Sequence, residues 1–194
     1  MYQKYIKRIL DILMSLILLP IMLIIFIPVS ILIKIEDKGS VFFNGSRLGQ
    51  QFREFKMLKF RTMKENAPDI RNSDGSTFNS DNDPRVTNVG RILRKTSLDE
   101  VPQVINVLKG DMSFVGPRPS PLGNTDKYPE FYKQKFNVKP GITGYNQAIL
   151  RNSATMEERM KNDYFYANNV SFTLDAYIIV KTIVSVLQQK NINK

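Results

Sequence analysis

The stretch Ser97-Leu98-Asp99-Glu100-Val101-Pro102-Gln103 sets two carboxylates side by side. Neighbouring acids can hold a hard cation such as Mg²⁺ through oxygen, and a carboxylate held in place can attack phosphorus. A plainer explanation competes with this. Ser97 and Glu100 have the spacing of a capping box, and acids near a helix N-terminus are favoured by its dipole. Pro102 tells against Ser97 as the cap, because it would then lie inside the helix and lose the bond to the Leu98 carbonyl. A helix beginning near Asp99 leaves both acids at its mouth. Phosphate chemistry also needs cations aimed at developing charge. Arg118 in Gly116-Pro117-Arg118-Pro119 is the leading candidate: the prolines stiffen its backbone, and a guanidinium suits bidentate phosphate contact. Lys59, Arg61, Arg94 and Arg151 are supporting candidates. Taken singly, each is explained as a solvated or lipid-facing charge.

Composition narrows the chemistry further. The 194 residues include neither cysteine nor histidine, which removes disulfides, thiolate metal sites, imidazole bases and His-ligated zinc. Catalysis must rest on carboxylates, Lys, Arg, Tyr, hydroxyls or an oxygen-bound metal. The balance of 28 Lys+Arg against 18 Asp+Glu gives a net charge of +10. Such a surface attracts nucleic acid, anionic lipid or a phosphorylated substrate, and charge alone does not choose among them.

The N-terminal segment does choose. From Ile12 to Ile33 no residue is charged, and as a helix the run extends roughly 33 Å against a hydrocarbon core of about 30 Å. It is too long for the apolar part of a signal peptide, and no small-residue cleavage site follows it. A membrane-embedded helix is expected over residues 1–36, anchoring one compact domain over 37–194. Pro20 and Pro28 predict a kink. A kinked spanning helix and a helix that bends and leaves on the side it came from both fit. Flanking charge favours the second, since Lys4, Lys7 and Arg8 precede the run while Lys34, Lys38, Arg47 and Arg53 follow it.

The remainder reads as a mixed α/β, helix-rich domain. Ser40–Phe43 resembles a strand meeting a tight turn at Asn44-Gly45, and Glu54–Arg61 another strand. Residues 64–83 are polar and turn-rich, a surface loop. Val101–Leu108 and Met156–Asn168 fit helices, and Leu174–Gln188 is an apolar helix suited to the core or the lipid interface. Phe114–Pro121 cannot be a regular helix, and Lys139–Gly144 is a rigid turn.

Together these residues resemble the bacterial sugar transferases known as monotopic phosphoglycosyl transferases, in their short catalytic-core form. The likeness is carried by YIKRILDILMSLILL, by KFRTM at Lys59–Met63 and by DPRVTNVGRILRKTSLDEVPQ at Asp83–Gln103. It continues through NVLKGDMSFVGPRP at Asn106–Pro119, KPGITG at Lys139–Gly144 and the C-terminal YIIVKTI. The chain departs from the better-known members in two places. Leu19-Pro20 and Ile27-Pro28 stand in place of a Ser-Pro break, and Tyr145-Asn146-Gln147 follows GITG.

The resemblance implies a re-entrant membrane helix, interface-lying amphipathic helices, and a site at the cytoplasmic face of the bacterial inner membrane. It implies Asp99 as a nucleophile on the sugar-linked phosphate of a UDP-sugar, with Glu100 as its acidic partner and Mg²⁺ held beside the pair. UMP leaves, and polyprenyl phosphate, typically undecaprenyl phosphate, takes the phospho-sugar. Arg118 would hold phosphate, with Arg94 and Arg61 as basic positions nearby. Two other readings make different predictions: a non-catalytic tethered module in which Asp99 and Glu100 only cap a helix, and direct displacement in which they only bind metal. A nucleic-acid role leaves the anchor unexplained and lacks aromatics interleaved with basic residues.

Overall fold

A computed structural model describes residues 1–70, 78, 80, 83–123, 125–150 and 153–187. Arg151 and part of the loop read over 64–83 lie outside them, as do Gln188 and Lys190. The architecture is helix-rich mixed α/β: seven α-helices and two small two-stranded sheets among the described residues.

The chain opens with a π-helical turn, Tyr2–Ile6, that runs into α1 (Lys7–Asp37). At about 1.5 Å per residue α1 is roughly 46 Å long, and its helical assignment continues through Pro20 and Pro28. Each proline removes a single backbone donor, which takes the usual helical bond from the carbonyl of Leu16 and of Ile24. The helix is apolar on nearly every face, and Leu16, Ile17, Ile21, Leu23, Ile24 and Ile27 are exposed. Among the described residues it is the one helix long and apolar enough to cross a membrane.

Both ends of α1 are bonded to the rest of the chain. Near its start, Arg8 donates through Nη1 and Nη2 to the carbonyls of Val107 (2.6 Å) and Leu108 (2.8 Å). Asp11, buried, accepts from Ser113 Oγ and the Phe114 backbone N–H. Near its end, Glu36 accepts from the backbone N–H groups of Asn88 (2.6 Å) and Val89 (2.9 Å), while Asp37 pairs with Arg61. Between these polar attachments Val29 and Ile33 pack on Phe60 and Leu93.

Strands β1 (Phe42–Leu48) and β2 (Glu54–Phe60) pair antiparallel, Phe42 opposite Phe60 and Leu48 opposite Glu54. The turn expected at Asn44-Gly45 is absent, because those residues lie in register against Leu58 and Met57. Gly45 is needed there for space: a Cβ would stand 2.6 Å from the Phe43 ring. The chain turns later, through left-handed Gln51 (φ 55°) and Phe52 (φ 59°), where Phe52 stacks on Phe136 at 4.2 Å between centroids. Residues 42 and 60 stack with Phe26 of α1, which seats the hairpin on the long helix.

Helix α2 (Asn88–Thr96) follows, then α3 (Gln103–Lys109), β3 (Ser113–Val115), the short α4 (Glu130–Lys133), β4 (Gly141–Thr143) and α5 (Tyr145–Ile149). β3 and β4 pair parallel, so the segments containing GPRP and KPGITG interlock: Gly116 N–H donates to the Thr143 carbonyl and Gly141 N–H to that of Pro117. Helix α6 (Met156–Asn168) has the bounds its sequence predicts, opened by a Thr155/Glu158 capping box. Helix α7 (Phe172–Leu187) buries Ile178 and Asp175 and exposes Phe172, Tyr177, Val180, Ile183 and Val184. A core of Val115, Val138, Ala148, Tyr166 and Ile178 joins α5, α6 and α7 to β3.

Candidate active site

Asp99 and Glu100 occupy a 3₁₀ turn, Leu98–Glu100, between α2 and α3. Ser97 closes α2 in the left-handed conformation (φ 59°) and its side chain caps nothing. The capping-box explanation of the two acids therefore fails here. Helix α3 begins at Gln103 rather than near Asp99 or Val101, with Pro102 at the cap position, where its missing N–H costs no helical bond. The acids are held one turn ahead of the helix.

Lys59 arrives from β2. Alternation along the strand turns Phe60 toward α1 and leaves Met57 and Lys59 on the opposite face. That face meets α3, where Met57 packs on Val107 and Met112. The register is locked by Asn106 of α3, which is buried: its Oδ1 accepts from Leu58 N–H at 2.9 Å and its Nδ2 donates to the Lys56 carbonyl at 2.8 Å. Lys59 Nζ consequently stands 2.6 Å from Glu100 Oε1 and 3.6 Å from Asp99 Oδ2. Arg118 Nη2 donates to the same Glu100 oxygen at 3.2 Å. Its side chain is 51% exposed, against 12% for Asp99 and 15% for Lys59. Two carboxylates and two cations thus converge, buried at Asp99, partly buried at Glu100 and Lys59, and open at the guanidinium.

Burial pushes the Asp99 carboxyl above the usual carboxylate range; Lys59 pulls it back, and the adjacent Glu100 charge adds to the rise. Burial also acts on Glu100, but Lys59 and Arg118 outweigh it and hold that group down to about 2. The pair is asymmetric: Lys59 and Arg118 hold Glu100 as an anion, while burial makes the charge on Asp99 costly.

The remaining basic candidates are arranged around this group at different removes. Arg94 donates through Nε to Thr62 Oγ1 at 3.0 Å and lies within electrostatic reach of Asp99. It comes close because Gly90, one turn earlier, lets α2 press on the Thr62 backbone; a Cβ there would stand 2.0 Å from the Thr62 carbonyl oxygen. Arg61 is buried and engaged elsewhere, bonded to Asp37, to the carbonyls of Ser40 and Met63, and to Glu65 at 3.4 Å. The structure brings Lys59, Asp99, Glu100 and Arg118 together, sets Arg94 nearby, and ties Arg61 to the end of α1.

Among the described residues no three acids gather as a metal cage. The donor set still suits magnesium, which takes one or two carboxylates from protein and the rest from phosphate oxygens and water. Asp99 and Glu100 are the residues that would hold it. Lys59 and Arg118 already balance the charge of the two acids.

Sequence reasoning did not single out Asn106 or Thr62. Both left a trace, Asn106 as a polar residue inside the mostly apolar Val101–Leu108 and Thr62 within KFRTM.

Residues 2–189 match the family described as bacterial sugar transferase. The chain is 38% identical over 189 residues to the UDP-N-acetylgalactosamine-undecaprenyl-phosphate N-acetylgalactosaminephosphotransferase of Aeromonas hydrophila, covering 94% of this chain and 44% of that protein. It is 39% identical over 194 residues to the exopolysaccharide production protein ExoY of Sinorhizobium fredii, covering 93% and 84%. To the UDP-glucose:undecaprenyl-phosphate glucose-1-phosphate transferase of Xanthomonas campestris it is 40% identical over 176 residues, covering 86% and 35%. The chain spans less than half the length of the first and third of these and most of the second. With a family match that runs from residue 2 to residue 189, the chain belongs to the bacterial sugar transferase family.

Proposed function

We propose that this chain transfers a phospho-sugar from a UDP-sugar to undecaprenyl phosphate, through a covalent intermediate on Asp99. The observation that carries the reading is the convergence of Asp99 and Glu100 on Lys59 and Arg118. In the first step an Asp99 carboxylate oxygen attacks the sugar-linked phosphorus. The new O–P bond forms as the bond to the bridging oxygen breaks, and UMP leaves with that electron pair. In the second step a phosphate oxygen of the lipid attacks the same phosphorus, the Asp99 O–P bond breaks, and the carboxylate is restored. Splitting the transfer lets a water-soluble donor and a lipid acceptor use one site in turn.

Glu100 keeps Lys59 oriented across the pair, and Arg118, bonded to Glu100 through Nη2 but half exposed, has its remaining N–H donors available for phosphate oxygens. Magnesium bound with the donor would supply Lewis-acid stabilisation of the diphosphate. The relatives named for UDP-N-acetylgalactosamine and UDP-glucose, and one named for UDP-galactose and a lipid carrier, support a nucleotide-sugar donor. We also read α1 as a re-entrant helix that holds the catalytic domain at the cytoplasmic face of the inner membrane. Its two bonded ends and exposed apolar middle support that arrangement.

The test is UMP release by the purified chain in nanodiscs with Mg²⁺, undecaprenyl phosphate, and UDP-N-acetylgalactosamine, UDP-glucose or UDP-galactose in turn. At least one donor should release UMP, and Asp99→Asn should abolish release. With donor alone, intact mass should rise by one phospho-sugar. A mass that stays constant while turnover proceeds would favour direct displacement, and release that survives Asp99→Asn would remove Asp99 as nucleophile.

A further inference from the structure

Away from the acids, three polar side chains are sealed in the interior: Tyr132 of α4, Lys135 just after it, and Asp163 of α6. Lys135 is 5% exposed and Asp163 2%. The three ammonium donors of Lys135 meet three acceptors, the Arg118 carbonyl at 3.0 Å, Tyr132 Oη at 2.8 Å and Asp163 Oδ2 at 2.9 Å. Tyr132 Oη in turn donates to Asp163 Oδ2 at 3.1 Å. Every proton that the ammonium has to give is used.

Stability does not explain such a group. A buried ion pair repays its desolvation poorly, and apolar residues of like volume commonly do as well. What the group does supply is a fixed, charged donor to one backbone carbonyl. That carbonyl belongs to Arg118, and the segment around it is pinned in series. The Pro117 carbonyl accepts from Gly141 N–H (3.0 Å), the Arg118 carbonyl from Lys135, and the Ser120 carbonyl from Leu48 N–H (2.8 Å). The middle anchor alone is a side chain. The guanidinium itself is half exposed and bonds Glu100 at 3.2 Å. The pinned backbone fixes the point from which that side chain extends, and so whether its guanidinium can meet Glu100 and the space beside it.

We propose that Lys135, oriented by Asp163 and Tyr132, is a positioning residue that fixes the Arg118 backbone and so aims the guanidinium at the phosphate site. Lys135 touches no substrate, and its effect on turnover passes through Arg118. This rests on the reading of Arg118 as a phosphate contact.

A double-mutant cycle tests it, using UMP release from the best UDP-sugar of the panel above. Lys135→Met should cut kcat/KM by about 10-fold or more when Arg118 is present. In an Arg118→Ala background the same change should cost less than about 2-fold, since the group it aims is gone. Lys135→Arg, which keeps a buried donor, should recover part of the loss. Asp163→Asn is the milder second variant, because its amide oxygen still accepts from Lys135; the same cycle on it decides the matter if Lys135→Met does not fold. Equal losses in both backgrounds would overturn the positioning role while leaving Arg118 as a phosphate contact. An Arg118→Ala enzyme as active as the parent would overturn both readings.

Discussion

Two carboxylates adjacent in sequence have been driven apart electrostatically. Glu100 takes the direct bonds from Lys59 and Arg118, whereas Asp99 has the ammonium only at 3.6 Å and is the more desolvated partner. Under the proposed mechanism Asp99 must be ionised, so turnover is present above its pKa and is lost as pH falls through it. Since burial raises that pKa above the ordinary 3.8, the acid limb of the rate profile should lie above 3.8. Glu100→Gln removes the charge that adds to the rise and frees Lys59 to approach Asp99, so the limb should move to lower pH. Lys59→Met removes the main opposing charge and should move it to higher pH, with a lower maximum rate. Profiles of kcat/KM for UMP release check both, and limbs that move in the same direction would refute this asymmetry. Glu100 makes a separate contribution to stability. Its depressed pKa favours the folded state above its ordinary 4.5, and that contribution disappears as pH falls toward about 2.

At the scale of elements, the site depends on how β2 is seated on α3, and Asn106 does the seating. Its amide satisfies one N–H and one carbonyl along an otherwise unpaired edge of the hairpin. Asn106→Leu keeps the volume but leaves both backbone groups buried and unpaired, which should cost about 2–4 kcal/mol. For a chain of this size that lowers Tm by about 5–10 °C in detergent, and KM for the UDP-sugar should rise as Lys59 loses its register. An unchanged Tm would show that the edge finds water or another partner. The same pair of bonds marks the limit of reading from sequence. Local chemistry was legible: the charged run Met156–Asn168 read as the helix that became α6, the proline-bounded GPRP segment excluded a helix, and Asp99-Glu100 and Arg118, which stood out by type, are brought together. Contacts between residues far apart in the chain were not. Nothing near Arg61 announces Asp37, and nothing near Lys135 announces Asp163, because such pairs are made by packing rather than by spacing. Asn44-Gly45 misled for a related reason. A turn-forming dipeptide sits mid-strand when cross-strand pairing and the Phe43 ring outweigh local preference.

At the scale of the molecule, a helix of roughly 46 Å is fastened at both ends while its middle third presents bare Ile and Leu. The fastenings are of the kind a protein keeps out of lipid. Lys7 pairs with Asp175, Arg8 caps the last carbonyls of α3, and at the other end Glu36 caps α2 while Asp37 meets Arg61. Charged groups are costly within a bilayer and sit with ease at its surface. Basic residues flank the apolar run on both sides, which favours placing both flanks in the cytoplasm. In a spanning arrangement one of these two sets of polar contacts would have to break or be carried to the far side of the membrane. The absence of cysteine makes the choice measurable, because any introduced thiol is the only one. Gln3→Cys at the exposed start and Lys109→Cys at the exposed end of α3 should both resist a membrane-impermeant maleimide in intact spheroplasts, and both should be labelled once the membrane is permeabilised. Labelling of Gln3→Cys alone in intact spheroplasts would mean that α1 crosses the membrane. The polar bonds joining Lys7, Arg8 and Asp11 to the catalytic domain could not then form in the membrane-bound protein.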